Sequence, residues 1–322
     1  MKTASIIFLI SITSLLHQCV YVNSDLQGRV SGNGKVTTES VNISSNFEAI
    51  HVATDIELQL SNGPTQLDIE ADSNLHEFFE ITQKNKRLSI KMIKPASDYA
   101  ALRVHLTHDN IKSLKASTNA RIYSNDLLET SNLSLEASTN AKLVADVSTK
   151  NLSLDASTGG NILLTGKAEH TKLEASTNAK INAEDFYTEH INIEAATGAH
   201  IKLNEVERHI DIACSTNSDV YIAQITDGNH VEIAAVTGAV CTIKQGRTEQ
   251  LNIKASTNAK VLAEYVVAPL ANIDAATGAK VAINCTEELI ATAHTKGTII
   301  FTGNPSVKEL QAKTGGYIGS GK

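Results

Sequence analysis

Residues 132–143 read Asn-Leu-Ser-Leu-Glu-Ala-Ser-Thr-Asn-Ala-Lys-Leu. Leu133, Leu135 and Ala137 alternate with Ser134, Glu136 and Ser138, the period of two that marks a strand with one buried face. After Asn140 the alternation resumes with Ala141, Leu143 and Ala145. Two short strands therefore meet at Thr139-Asn140. The junction, Ala-Ser-Thr-Asn-Ala, starts at Ala116, Ala137, Ala175 and Ala255, with variants at Ala156, Ala195, Cys214, Ala235 and Ala275. These nine starts lie 19 to 21 residues apart, and fainter copies follow at Ala293 and Ala312. Such a period is the signature of a solenoid. A catalytic motif needs to occur once, whereas a motif at fixed spacing serves architecture or an extended surface. The expected fold is all-β, a solenoid of coils of about 20 residues stacked ~4.8 Å apart.

The residue after Thr is Asn119, Asn140, Gly159, Asn178, Gly198, Asn217, Gly238, Asn258 or Gly278. Asn and Gly are the residues that best tolerate the left-handed backbone region, so this column predicts one corner with positive φ per coil. From Asn140 onward Asn and Gly alternate strictly. Either a two-coil unit was duplicated, or each coil spans about 40 residues with one motif on each side. The shorter coil is preferred because a single repeat already contains two strands and a turn. The Thr column (Thr118, Thr139, Thr158, Thr177, Thr197, Thr216, Thr237, Thr257, Thr277) shares its phase with Leu133 and Leu135. It is expected to point inward or sit at the corner, its hydroxyl bonding to turn backbone. The outward column Ser117, Ser138, Ser157, Ser176, Ser215 and Ser256 is the candidate binding face, interrupted by Ala196, Val236 and Ala276.

The 322 residues are 42% hydrophobic but only 4% aromatic, with no Trp, so the core is built from small aliphatic side chains in thin layers. Residues 1–24 follow the plan of a secretory signal peptide: Lys2, an apolar run from Ile6 to Leu16, then small and polar residues up to a cut after Ser24. Lipid attachment at Cys19 is the alternative, and Gln18 fits it poorly because a small residue belongs there. The apolar run is too short to span a bilayer, and no second such stretch follows. The net charge of −7 argues against nucleic acid or anionic membrane as a partner. Beyond the leader, Cys214, Cys241 and Cys285 form an odd set at apolar repeat positions, which reads as buried small hydrophobes.

Residues 25–115 lack the motif but keep its alternation, at Phe47–Leu58, Leu67–Ala71 and Leu88–Met92, with a short helical turn expected between Leu75 and Ile81. This part reads as the opening and cap of the β-helix, and 116–322 as its repeat body. Ser31-Gly-Asn-Gly-Lys-Val36, Phe47-Glu-Ala-Ile-His-Val52, Asp55-Ile-Glu-Leu58, Ile69-Glu-Ala-Asp-Ser-Asn-Leu75 and Leu88-Ser-Ile-Lys91 resemble the opening of the GIN-domain family, DUF2807. The later repeats resemble that family's Ser-Gly-(Ser/Ala)-(Gly/Ala)-Asp-Val blocks, with Thr139 and its equivalents replacing the first Gly. The resemblance covers nearly all of the chain after the leader. It implies a right-handed parallel β-helix, export in bacteria, and a surface or adhesive role.

Three sets of residues are of the types that carry chemistry. His105 and His108 are three apart, which on a strand puts them on opposite faces, and His170, His190 and His230 fall in outer turns. No Cys/His cluster has metal-ligand spacing, so no metal and no cofactor is expected. Carboxylates recur before the motif (Glu136, Asp155, Glu174, Glu194, Asp274) and bases after it (Arg121, Lys142, Lys180, Lys260, Lys280). No coil is unique as a catalytic centre requires, so these read as two solvated stripes. Asn42, Asn132, Asn151 and Asn284 lie in glycosylation sequons that matter only in a eukaryotic secretory route. The expected function is an exported, non-enzymatic β-helix that binds a surface ligand, a glycan or a protein. The alternatives are a carbohydrate-active β-helix enzyme, a structural envelope protein and, through the Thr column, an ice-binding solenoid.

Overall fold

A computed structural model describes residues 28–321. The predicted leader and Cys19 lie outside the described residues. The chain forms a β-solenoid of about ten turns with coils of about 20 residues. Register is one-to-one along the strand that leads into each corner, and the 19-to-21-residue variation is taken up by bulges elsewhere in the coil. Leu135 stacks in sequence on Leu154, Leu173, Ile193, Ile212, Ile233, Ile253 and Ile273, all inward and buried. Ala137 heads a second buried ladder through Ala156, Ala175 and Ala195 to Cys214. Ala137 and Ala141 flank the corner and are buried; their columns hold small residues through the repeat body, and Val52 and Ile56 stand at the equivalent places in the N-terminal coil. Cys214, Cys241 and Cys285 are free and buried, as the repeat phase predicts. The thiol of Cys241 is pushed well up by its contact with Cys214 and by burial.

The corner is a two-residue turn. Thr139 has φ 52° and Asn140 φ 60°, and the amide of Ala141 donates to the carbonyl of Ser138 at 3.1 Å. Positive φ at both central residues with this closure is the type I′ arrangement. The positive φ expected at Asn or Gly is present, but Thr shares it, with φ 48° at Thr158 and 51° at Thr177. Between coils the corner continues as a backbone ladder: Asn140 N donates to Thr158 O at 3.0 Å and Gly159 N to Thr177 O at 2.9 Å. Asn140 therefore lies beside Gly159, which settles the coil at about 20 residues rather than 40.

The strict Asn/Gly alternation has a packing cause. A Cβ placed on Gly159 would sit 2.4 Å from Asn140 Oδ1, and one on Gly198 would sit 2.5 Å from Asn178 Oδ1. From Asn140 onward each Asn side chain lies across the next rung, where Gly leaves room for it; Asn119, followed by Asn140, stands outside the pattern. The second bend of the coil uses buried threonines instead. Thr149 Oγ1 donates to Asn151 O at 3.2 Å and Thr188 Oγ1 to His190 O at 3.2 Å.

The N-terminal part contains a coil of its own. Strands Ala49–Ala53 and Glu57–Ser61 meet at Thr54-Asp55, with φ 62° and 63°, and stack in parallel on Ser113–Ser117 and Arg121–Ser124. The layer outside it comes later in the chain: Arg87–Met92 pairs with Ala49–Ala53, and Leu102–Thr107 with Glu57–Ser61. Antiparallel strands Phe79–Lys84 and Gln66–Asp72 then cover that layer, and Val36–Val41 pairs with Gln66–Asp72. The expected helical turn is a 3-10 turn at His76–Phe78. His105 is exposed beside Glu70. His108 is buried, stacked on Phe47 at 4.0 Å, with Nε2 2.9 Å from Phe47 O.

A candidate ligand-binding face

Residues i, i+2, i+4 and i+6 of a strand share a face, so Asn132, Ser134, Glu136 and Ser138 point outward together. One-to-one register turns each into a ladder along the axis. The Asn132 ladder runs Asn151, His170, His190, His209, His230, Gln250. The Ser134 ladder runs Ser153, Lys172, Asn192, Asp211, Glu232, Asn252 over the same coils. The Glu136 ladder runs Asp155, Glu174, Glu194, Ala213, Ala234, Lys254. The serine ladder lies next, beside the corner.

Two grooves run over these ladders. One, of about 580 Å³, is lined by Asn132, Asn151, His170, His190 and His209 with Lys172, Asn192 and Asp211. The other, of about 460 Å³, lies between the acids Asp155, Glu174 and Glu194 and the serines Ser157, Ser176 and Ser215. Of the predicted face, Ser117, Ser138, Ser157, Ser176, Ser215 and Ser256 are each half-buried on one edge. Asn132 and Asn151, read above as sequons, are tied together, Nδ2 of Asn151 donating to Oδ1 of Asn132 at 2.9 Å.

The threonines that follow the serines take the corner, one of the two placements expected of them, but without the hydroxyl bond to turn backbone expected there. Thr118, Thr139, Thr158, Thr177, Thr197, Thr216, Thr237, Thr257 and Thr277 are exposed, because the turn breaks the strand phase that would have buried them. Their hydroxyls make no hydrogen bond among the described residues, so no threonine side chain closes the turn; at the Cys214 corner Ser218 Oγ accepts the Ser215 amide at 3.1 Å. The histidines expected in outer turns stand instead on an outward strand face. His170 stacks on His190 with ring centroids 4.8 Å apart, and His209 on His230 at 5.4 Å; His190 and His209 are tilted at 6.3 Å. The signal was present in the sequence: 170, 190, 209 and 230 are spaced by the coil period. A search for ligand spacing within one strand passes over it.

The acid ladder carries strain. Glu136 is paired with Lys115 at 2.5 Å and Glu174 with Lys172 at 2.5 Å, but Asp155 between them has no cation partner among the described residues. Burial, then the charges of Glu136 and Glu174, push its carboxyl up. A carboxyl raised in the folded state weakens the fold at neutral pH, and the penalty is relieved as pH falls through the raised value. Asp155→Asn is therefore expected to stabilise the chain by about 0.2–1 kcal/mol at pH 7, the range for like charges placed opposite one another. The gain should fade below the carboxylate range, as thermal unfolding at pH 7 and pH 3 would show.

A family model described as DUF2807, "Putative auto-transporter adhesin, head GIN domain", matches residues 46–224 and 206–305. No curated protein matches the chain. Among solved structures, a putative adhesin from Parabacteroides merdae is 19% identical, with 92% of this chain and 100% of that chain covered and a TM-score of 0.37. A putative adhesin from Bacteroides fragilis is 14% identical, with 90% and 99% covered and a TM-score of 0.47. A protein from Parabacteroides distasonis described as a putative lipid binding protein is 14% identical, with 91% and 100% covered and a TM-score of 0.37.

Proposed function

The chain belongs to the DUF2807 family, and from that premise we propose that it is an exported, non-enzymatic binding module whose recognition surface is the grooved face of the ladders. The observation that carries this is the pair of grooves on one face, each built from side chains repeated coil after coil. A site repeated every ~4.8 Å suits a linear repeating ligand better than a compact one. Neutral amides and hydroxyls in rows offer donors and acceptors to sugar hydroxyls, and imidazole faces offer planes for ring stacking. The ligand is accordingly a glycan chain. Repetition also speaks for binding rather than catalysis, since a catalytic centre is a single perturbed constellation.

The test is a glycan-array and cell-surface binding assay on the purified protein. A companion variant carries Ser117, Ser138, Ser176, Ser215 and Ser256 all changed to Lys, and circular dichroism checks its fold. Saturable glycan binding that drops at least tenfold in the folded variant is the expected result. Binding to cells but to no glycan would shift the ligand to protein. No binding to either would remove the adhesive reading and leave a structural envelope role.

One observation favours a second reading, ice binding: the threonine ladder is exposed. It is a single file at a turn, flanked by half-buried serines that give way to Ala196, Val236 and Ala276, rather than a flat two-dimensional array. The glycan reading therefore ranks first.

A further inference from the structure

The histidine ladder changes character along its length. Two residues beyond each imidazole, on the same face, stand Lys172 after His170 and Asn192 after His190. After His209 and His230 stand Asp211 and Glu232 instead, and after Gln250 stands Asn252. His209 pairs in register with His230, and Asp211 with Glu232. Two imidazoles and two carboxylates thus form a square across two adjacent coils. His209 Nε2 lies 3.1 Å from Asp211 Oδ2 and His230 Nε2 lies 3.8 Å from Glu232 Oε2. One donor atom each from Asp211, His230 and Glu232 lies within 4.8 Å of the others.

We infer that Asp211, His230 and Glu232, with His209 beside them, form a binding site for one divalent transition-metal ion of the zinc or copper class, clipping two coils together within the recognition face. The donor chemistry selects the class. Imidazole nitrogen suits zinc, copper and nickel, whereas calcium takes six to eight oxygens and finds only two carboxylates here. Two carboxylates in register repel each other, and a dication between them reverses that sign. Metal–ligand distances of about 2.0 Å put the donors of a tetrahedral site about 3.3 Å apart, so the site closes by contraction. The exposed side chain of Glu232 can supply that movement by rotation about its own bonds. Because Asp211 and His230 are half-buried and Glu232 is exposed, a bound ion keeps one side open to solvent. Sequence spacing hides the set, since its ligands come from strands 21 residues apart at His209 and His230.

The experiment is a calorimetric titration of the metal-free full chain with zinc chloride in a non-chelating buffer, alongside calcium chloride. The expected result is one zinc ion per chain and no calcium heat at the same concentrations. His230→Gln and Asp211→Asn should each weaken zinc at least tenfold, whereas His170→Gln on the same ladder should leave it unchanged. Histidine ring signals of His209 and His230 in the NMR spectrum should shift with zinc while those of His170 do not, which keeps the test independent of any variant's folding. No zinc heat, zinc heat unaltered by His230→Gln, or equal loss in His170→Gln would each overturn the site. Glycan binding plays no part in these readouts, so failure of the metal site and failure of the recognition face are separately visible.

Discussion

Asp72→Ala is expected to destabilise the chain by about 3 kcal/mol or more, at about 1–3 kcal/mol for each of the three backbone amides left unpaired. The side chain is fully buried in the N-terminal cap. Its Oδ2 accepts the amide of Gly34 at 2.7 Å, and its Oδ1 accepts those of Ala100 at 2.9 Å and Ala101 at 3.1 Å. Burial alone would raise the carboxyl, but the three backbone amides outweigh it and hold it below the usual range. A carboxylate depressed in the folded state contributes stability that is complete above the unfolded value and is lost as pH falls through the folded one. The difference between wild type and Asp72→Ala should therefore shrink at low pH. The loop it gathers is tight: a Cβ on Gly32 would sit 2.3 Å from Asp72 Oδ2. Loss of the carboxylate should release Gly32–Gly34 and the segment around Ala100 together. In a solenoid, stability passes between neighbouring layers, so an opened cap exposes the first coil to fraying. Denaturant unfolding measures the loss, and hydrogen exchange should place it between residues 30 and 107. A variant with unchanged midpoint would show that the cap is held by strand pairing alone.

Much of this architecture was legible because the solenoid repeats its reasons. Leu133, Leu135 and Ala137 announce an inward face by alternation, and the Asn/Gly column announces the turn by backbone preference. What escaped depended on the third dimension. The Asn140-over-Gly159 contact explains an alternation that the letters display without a cause. The alternation rule left Thr139 between an inward and a corner position, because alternation alone does not say where the strand ends and the turn begins. The order of the cap was not legible either. Nothing local in Arg87–Met92 says that it lies outside Ala49–Ala53, since one strand alternates as well as another. The serine edge was readable as an outward column, but the histidine and acid ladders beside it were not joined to it. Joining them requires the register, and the register requires knowing that 19, 20 and 21 residues are all one turn of the same coil.

Replacing the corner pairs Thr158-Gly159, Thr177-Asn178, Thr197-Gly198 and Thr216-Asn217 by Asn-Gly is expected to stabilise the chain and to weaken ligand binding. A β-branched residue at positive φ is a genuine outlier, and the left-handed region costs roughly 1–2 kcal/mol per residue for ordinary side chains. Asn-Gly is the pair that type I′ turns favour most. The added glycines at two corners give back part of the gain through unfolded-state entropy, about 0.4–1 kcal/mol each. The net expectation is about 1 kcal/mol per corner, or a melting temperature higher by about 1–2 °C for each, given a chain of this size. Every corner from Thr118 to Thr277 nevertheless places Thr where the backbone disfavours it, exposed and with its hydroxyl unbonded among the described residues. Strain retained at an exposed position points to a use for the side chain. That use, on the reading proposed above, is to extend the serine edge of the recognition face with a second row of hydroxyls. A more stable variant that binds glycan as well as the wild type would sink this account of the threonines and confine recognition to the grooves. A variant that is no more stable would show that the turn accepts Thr without strain. The threonine column would then carry no argument for function at all.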